Sequence, residues 1–325
     1  MKIRFFTFLG LIALFTSCSN DTKSKVSYKD YHQAIITAEE YIGNENYEDA
    51  LKQYEKIFTT YDFCFLRDYQ IASQLLLITN KKEKGLTYIK KGIANGWELE
   101  NIKSQKVIQQ HLTDADWRNI EKQYDDLRSV YLNRIDTIVM NKVKLMIEKD
   151  QKMALKAYLI EDEEKQEAYI LKNFPKHSEV QLKDLFKIIH TKGYPGEFLI
   201  GNNFWGSTIL SHHNSIEPNY VRNDTLYPYI RPKLFQALDE GYISPYEIAL
   251  IEDWKEVIIT DEGESLYGYL NPPNTANISQ INKTRKAIGL RSVELRNKLI
   301  DISHKTGINF YLPDWVEGKI TIEKE

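Results

Sequence analysis

Apolar residues near the start of the chain recur at helical spacing, in two blocks separated by a polar break. In the first block they lie three, four and seven residues apart and share one helix face: Tyr31, Ala34, Ile35, Ala38, Tyr41 and Ile42. The break is Gly43-Asn44-Glu45-Asn46, and the same rhythm then returns: Tyr47, Ala50, Leu51, Tyr54, Ile57 and Phe58. This pattern predicts two amphipathic helices that pack against each other.

The second of these helices resembles part of a known repeat. Asn46–Ile57 is similar to the second half of a tetratricopeptide repeat, where an aromatic residue after the turn and a small residue allow close helix packing. About 36 residues later, Lys82–Lys91 has a similar pattern, with Gly85 in the place of Ala50. This spacing is near the repeat period of about 34 residues in that family. Repeat solenoids usually need about three units to be stable, and only two are recognised so far. The two units could therefore also be a plain pair of helical hairpins.

A third pair is predicted from Ile102–His111 and from a helix that Thr113 opens, with Asp116 three residues on as in a capping box. We therefore expect a repeat-like α-helical domain over residues 28–145. Helix signals continue to Ser292, and only 309–312 and 319–322 have strand-like patterns. The predicted fold class is mainly α with minor β: a short tetratricopeptide-like domain, a mostly helical domain over 146–316, and a tail over 317–325.

Short motifs in the C-terminal half follow an order that resembles a bacterial family of uncharacterised domains, over about residues 146–312. They are Asp150-Gln151, Gly193-Tyr194-Pro195, Ile200-Gly201, Leu210-Ser211-His212-His213, Gly241-Tyr242-Ile243-Ser244-Pro245, Asp253, Tyr267-Gly268, Arg285 and Gly289-Leu290. The resemblance implies a domain with a histidine helix, an aspartate helix and Tyr-Gly and Arg…Gly-Leu motifs. It implies no particular activity. The chain departs from the family at Trp254 and at Tyr269-Leu270.

The first residues resemble a bacterial lipoprotein signal. Lys2 and Arg4 precede an apolar run over 5–15, which is shorter than the roughly 20 residues that span a bilayer, and Cys18 follows. The resemblance implies that residues 1–17 are a signal peptide, that Cys18 is lipidated, and that 18–27 form a tether. An ordinary secretion signal with a coincidental cysteine, or a buried N-terminal helix, would give a similar pattern.

A lipid anchor would place the protein in the cell envelope. Ser19 after the cysteine resembles outer-membrane sorting, so we expect an outer-membrane protein that faces the periplasm. No later segment has 18 uninterrupted apolar residues, so the anchor would be the only contact with the membrane. Cys64 would then be the one remaining cysteine, and its neighbours Phe63 and Phe65 predict a buried, inert thiol.

Composition excludes several classes of protein. The 325 residues carry 43 Lys and Arg against 46 Asp and Glu, a net charge of −3 that argues against nucleic acid as a partner. Two cysteines are too few for a disulfide framework. The chain has no P-loop, no Gly-x-Gly-x-x-Gly and no Gly-x-Ser-x-Gly motif, so no cofactor is expected. His190, His212 and His213 lack metal-ligand spacing, so no metal is expected either.

Two functions fit these observations. The first is a binding module for a protein or peptide, with the concave side of the stacked helix pairs as its surface. Its candidate surface residues are Tyr41, Tyr54, Tyr61 and Tyr88, although tyrosines at such positions often belong to a core.

The second is an envelope enzyme, such as a hydrolase, with a pocket around His213 and Asp253. An aspartate can orient a histidine as a base, and arginine can bind a carboxylate or phosphate. The candidate residues are His213, Asp253, Tyr267 and Arg285. The same residues could instead tie loops together, and only a shared open pocket would favour the enzyme.

The lipid anchor gives a direct prediction. Cells that express the natural chain and are fed a fatty-acid probe should label this protein, because acylation needs the Cys18 thiol. The Cys18→Ala variant should carry no label. Equal labelling of both chains would contradict the lipoprotein prediction.

Overall fold

The computed structural model describes residues 27–260, 263–312 and 316–322, and within them the chain forms sixteen helices and no strand. Cys18, the predicted signal peptide and nearly all of the predicted tether lie outside the described residues. The helices are α1 (Tyr28–Gly43), α2 (Tyr47–Thr60), α3 (Leu66–Ile78), α4 (Lys82–Ala94), α5 (Leu99–Lys103), α6 (Lys106–His111), α7 (Asp114–Arg134), α8 (Thr137–Tyr158), α9 (Glu163–Lys192), α10 (Glu197–Ile200), α11 (Trp205–His213), α12 (Pro218–Asn223), α13 (Tyr227–Glu240), α14 (Pro245–Ile259), α15 (Ile278–Ala287) and α16 (Val293–Thr306).

Local sequence signals account for several helix ends. Thr113 and Ser244 open α7 and α14 with complete capping boxes, in which the side chain three residues on bonds back to the cap. The Ser292 hydroxyl accepts a hydrogen bond from Leu295 N at the start of α16. Gly241 ends α13 in the left-handed conformation that favours glycine. The mainly α prediction is therefore confirmed.

The N-terminal helices pack as consecutive pairs, α1 with α2 and α3 with α4, and α7 then packs on α4. Small residues allow the close approach: Ala50 is fully buried, and a Cβ added at Gly85 would lie 3.1 Å from Leu77 Cδ2. The repeat-like architecture is confirmed. The third pair is less regular than predicted, because the chain breaks at Ser104 and Gln105 into the short helices α5 and α6.

The predicted minor β structure does not form in the described residues. At 309–312, the backbone of Asn309 is hydrogen-bonded in both directions to the Gln74 side chain, 3.0 and 3.2 Å away. At 319–322, the backbone of Ile320 is held in the same way by the Asn297 side chain, at 2.8 Å for both bonds. Side chains on helices thus form the hydrogen bonds with these backbone N–H and C=O groups that a neighbouring strand would otherwise form.

Two hydrophobic cores divide the molecule. The second core is built mainly from residues of α8, α9, α11, α13 and α14, together with four residues that follow α14: Tyr267, Tyr269, Ile288 and Leu290. The first core is built from the N-terminal helices together with four residues from the end of the chain: Leu299, Ile302, Ile308 and Phe310. Helix α16 packs on α1, so residues 28–145 do not complete their core alone. Part of the predicted tail is also packed, since Ile320 is buried.

No helix in the described part of the chain combines the length and the apolar character that crossing a bilayer requires. Cys64 is buried and unpaired, and burial raises the pKa of its thiol to about 12. The prediction of a buried thiol is confirmed, and such a thiol is a poor nucleophile near neutral pH because almost none of it is ionised.

A buried ion cluster joins α1 to the chain that leads into α16. Both Arg291 Nε and Arg291 Nη2 donate to the carboxylate of Glu39 on α1 at 2.5 Å, and Arg67 Nη2 of α3 donates to the same carboxylate at 2.8 Å. Glu39 is fully buried and Arg291 nearly so. Burial alone would raise the pKa of Glu39, but the two guanidinium groups lower it below its usual value.

Removing the charge of Glu39 should therefore destabilise the protein strongly. We expect Glu39→Gln to lower the free energy of unfolding by about 3 kcal/mol, because the buried Arg291 loses its counterion and Arg67 keeps only Asp68, at 3.4 Å, as a counterion. Urea denaturation followed by circular dichroism measures this change.

Glu45 provides a matched control. Its carboxylate pairs with Lys305, so it also joins the end of α1 to α16, but both side chains are exposed. Glu45→Gln should leave the unfolding curve unchanged, because exposed ion pairs add little stability. A loss in Glu39→Gln no larger than in Glu45→Gln would show that the buried cluster does not hold the two parts together.

Candidate functional site

A cavity of about 360 Å³ lies between the N-terminal helix pairs and the C-terminal half. On one side, α1 contributes residues that recur at one-face helical spacing (His32, Ile35, Ile36 and Glu39), and the first turn of α3 contributes others. On the other side lie residues of α10, α11 and α14, among them Glu197, Ser207, Tyr246 and Glu247. This volume is in the range of small-molecule sites in proteins, about 300–1,000 Å³.

In each of the first two N-terminal pairs, the first helix faces this cavity and the second does not. Helices α1 and α3 both line it, whereas no residue of α2 or α4 does. In stacked helix pairs, one helix of each pair forms the inner side of the stack, which is the usual binding surface. The C-terminal half therefore covers the side of the stack where the sequence predicted binding.

Charged groups are concentrated in the cavity wall. Four carboxyl groups line it, those of Glu39, Asp68, Glu197 and Glu247, together with the guanidinium groups of Arg67 and Arg291. The ring of Tyr246 also lines the cavity, with the guanidinium carbons of Arg67 and Arg291 at 5.6 and 5.0 Å from its centroid.

Asp68 follows Arg67 in the first turn of α3. It accepts a short hydrogen bond from the Tyr31 hydroxyl and lies 3.4 Å from Arg67 Nη1. Burial raises the pKa of this carboxyl to about 6, although Arg67 and Tyr31 oppose the rise.

Glu197 supplies the missing cap of a helix that is distant in sequence. Phe65 stands at the N-cap of α3 and offers no side-chain acceptor, and Glu197 Oε1 accepts from Leu66 N at 2.6 Å instead. Burial raises the pKa of Glu197 to about 7, although the Leu66 amide and Arg134 lower it. This carboxyl therefore changes charge near neutral pH.

Glu247 is held by the capping box of α14. One carboxylate oxygen accepts from Ser244 N and Ser244 Oγ, both at 3.0 Å, and the other accepts from the Tyr194 hydroxyl at 3.0 Å. Burial raises the pKa of Glu247 to about 8 despite these donors. At neutral pH this group is mostly protonated.

Three residues of the cavity lining carry a side-chain atom with no hydrogen-bond partner among the described residues: His32 Nε2, Tyr246 Oη and Tyr311 Oη. His32 is only 5% exposed, and burial lowers its pKa to about 3, so its ring is neutral. A buried polar atom without a partner is costly in a folded protein. All three atoms are shielded from solvent, so they lie behind the surface that a ligand in the cavity would meet.

None of the four residues predicted for an enzyme pocket lines this cavity. His213 is buried in α11, with Nδ1 2.7 Å from Ser178 Oγ and Nε2 3.0 Å from Asp224 Oδ2. Ser178, His213 and Asp224 are the residue types of a hydrolase triad. However, Ser178 borders a void of only about 20 Å³. Such a void holds about one water molecule and no substrate.

Asp253, Tyr267 and Arg285 do come together, but behind the cavity wall. Asp253 is buried and accepts from the backbone N–H groups of Tyr267 and Tyr269 at 2.7 and 2.6 Å. Arg285 donates to the carbonyl oxygens of Tyr267 and Arg291, at 2.8 and 2.6 Å. They hold the loops that carry Tyr269 and Arg291, which do line the cavity.

The four tyrosines predicted for a binding surface do not line the cavity either. Tyr54 and Tyr88 are buried in the first core, and Tyr61 is partly buried against the rings of Tyr28 and Tyr31. Tyr41 is 36% exposed. Their helical spacing placed Tyr54 and Tyr88 on the faces that pack helix against helix.

One position in the sequence indicates a buried ion pair that the sequence analysis missed. Glu39 lies on the buried face of α1, four residues after Ile35, where a charged residue needs a buried partner. Its partners Arg67 and Arg291 are 28 and 252 residues away and follow no motif. Glu197 likewise caps α3 from a distance of 131 residues.

Comparison with protein-family models, with curated proteins and with solved structures gave no match to this chain. The resemblances to tetratricopeptide repeats, to lipoproteins and to the family of uncharacterised domains therefore stay predictions. The functional argument depends on the geometry of the cavity.

The raised pKa of Glu247 predicts how stability changes with pH. The folded protein binds the proton on the Glu247 carboxyl more tightly than the unfolded chain does. The contribution of this proton to the free energy of unfolding is therefore complete below the ordinary pKa of 4.5 and is lost as pH rises through about 8. We expect the wild type to lose about 3 kcal/mol between pH 5 and pH 8 from this group.

Glu247→Gln should reduce that loss, because Gln keeps the acceptor of the capping box and does not titrate. Urea denaturation at several pH values tests this, with the exposed Glu167→Gln as the control that should follow the wild type. Parallel wild-type and Glu247→Gln curves from pH 5 to pH 8 would contradict the prediction.

Proposed function

We propose that this protein is a lipid-anchored binding protein of the bacterial cell envelope, at the outer membrane and facing the periplasm. Its ligand is a peptide, either free or as a segment of a partner protein, and it binds in the cavity between the first helices of the N-terminal pairs and the C-terminal half. Neither nucleic acid nor a cofactor takes part.

One observation carries this proposal: a cavity of about 360 Å³ lies between the first helices of the N-terminal pairs and the C-terminal half, and apolar and polar side chains both line it. A cavity of this size that is lined mainly by apolar surface with a few polar groups is typical of a ligand site. The cavity also lies on the inner side of the helix pairs, where stacked repeats bind extended segments. The acylation signal ending at Cys18 is the support for the envelope location.

The cavity favours binding over hydrolysis. Ser207 lines it, but its hydroxyl hydrogen-bonds to backbone carbonyl oxygens of its own helix turn, at 3.0 and 3.4 Å. His32 is neutral and has no aspartate among its contacts that would orient it as a base. The Ser178, His213 and Asp224 group has no space for a substrate.

Filling the cavity should abolish ligand binding. The probe is a pooled library of tripeptide amides, and retention by the protein is measured by size-exclusion chromatography and mass spectrometry. Ile36→Trp on α1 and Leu250→Trp on the opposite wall place a larger side chain in the cavity. We expect each variant to retain at least tenfold less peptide than the wild type.

Tyr41→Ala is the control on the outer surface, and it should retain peptides like the wild type. Circular dichroism confirms that each variant is folded. Equal retention by the wild type and both folded tryptophan variants would contradict binding in the cavity. Loss of retention in Tyr41→Ala alone would instead favour the outer surface of α1.

A further inference from the structure

The two guanidinium groups of the cavity wall are neutralised by two carboxylates of the same wall. Glu39 accepts hydrogen bonds from both Arg291 and Arg67. Arg67 Nη1 also lies 3.4 Å from one oxygen of Asp68, whose pKa of about 6 leaves it mostly ionised at neutral pH. The charges on these four side chains therefore balance within the protein.

The other two carboxyl groups of the lining add little charge. Burial raises the pKa of Glu247 to about 8, so it is mostly protonated at neutral pH, and Ser244 and Tyr194 hold it. Glu197, with a pKa of about 7, is only partly ionised, and Arg134 lies close enough to lower that pKa. A ligand that brought a charge into the cavity would have to break one of these pairs to gain a counterion, which is costly in a buried place.

Apolar side chains from both halves of the chain also line the cavity. They come from α1, the start of α3, the loop before α11, and α14: Ile35, Ile36, Phe65, Leu66, Phe204 and Leu250. Of these, Leu66, Phe204 and Leu250 keep part of their surface exposed. An apolar group that covers such surface is favoured because both surfaces leave water.

Phe204 lies where the cavity opens to solvent. It is 56% exposed, and of the exposed large apolar residues in the described part of the chain it is the one that lines the cavity. Asn202 fixes its backbone, because Asn202 Oδ1 accepts from Phe204 N at 2.9 Å and from Trp205 N at 2.8 Å. The fold thus holds a phenyl ring in water beside the cavity, where it can cover an apolar group that enters.

The volume of the cavity suits one large side chain. An apolar cavity of about 150 Å³ is enough to bind benzene. The cavity here has about 360 Å³, which gives room for a leucine or phenylalanine side chain together with part of the backbone that carries it.

We propose that the cavity takes an uncharged apolar side chain of a peptide, between Ile36 of α1 and Leu250 of α14, and that Phe204 covers this side chain at the opening. Leucine and phenylalanine are the side chains that fit. The inference rests on the proposed peptide-binding function and names the chemistry that the peptide needs.

Four pools of N-acetylated tripeptide amides test the inference with the full-length protein. The pools share the same mixture of first and third residues, and the central residue is leucine or phenylalanine, serine, lysine, or glutamate. Because both ends are uncharged, only the central residue brings a charge. Retention is measured by size-exclusion chromatography and mass spectrometry, and we expect at least tenfold greater retention of the leucine and phenylalanine pool than of each other pool.

Phe204→Ala tests the residue at the opening. The ring is exposed, so its removal should leave the protein folded by circular dichroism and lower retention of the leucine and phenylalanine pool about fivefold. Tyr229→Ala is the matched control, since Tyr229 is a 74% exposed aromatic residue of α13 that does not line the cavity. This variant should retain the pools like the wild type.

The outcomes separate this inference from the binding function. Equal retention of the four pools, with loss in Ile36→Trp, would overturn the apolar preference and leave cavity binding in place, and so would stronger retention of the lysine or glutamate pool. Unchanged retention by folded Phe204→Ala would overturn the assignment of Phe204. Retention of no pool by the wild type would contradict peptide binding itself. Mono-olein, an uncharged lipid, is offered alone as a further probe, and its retention in that case would assign the cavity to a lipid instead.

Discussion

The buried cluster of Glu39, Arg67 and Arg291 is the contact on which the rest of the structure depends. One fully buried carboxylate binds two guanidinium groups, one from α3 and one from the segment just before α16. Because an unpaired buried charge is so costly, these three segments must come together for the chain to fold. The cluster thereby closes the N-terminal core with α16 and fixes one wall of the cavity.

The cavity follows from this closure. Once the C-terminal half covers the inner side of the helix pairs, acidic groups from four helices meet in one enclosed space. Glu39 keeps its charge through the arginines, whereas burial raises the pKa of Asp68, Glu197 and Glu247.

Much of the fold could be predicted from local patterns. The apolar spacing in α1 and α2 and the capping box at Thr113 depend on neighbours within a few residues, and each was recognised. The strand-like patterns at 309–312 and 319–322 were misleading, because side chains of Gln74 and Asn297 bond their backbone. Asp253 and Arg285 were recognised as a cluster, but they support the cavity wall and do not line the cavity.

The sequence by itself determined the mainly helical fold, the apolar faces of α1 and α2, and the start of α7 at Thr113. Only the tertiary structure decided which residues form the site, because its contacts join positions up to 252 residues apart. No spacing rule marks Arg291 as the partner of Glu39 or Glu197 as the cap of α3. Such contacts arise when two separately built cores pack together, and their geometry depends on the packing of both.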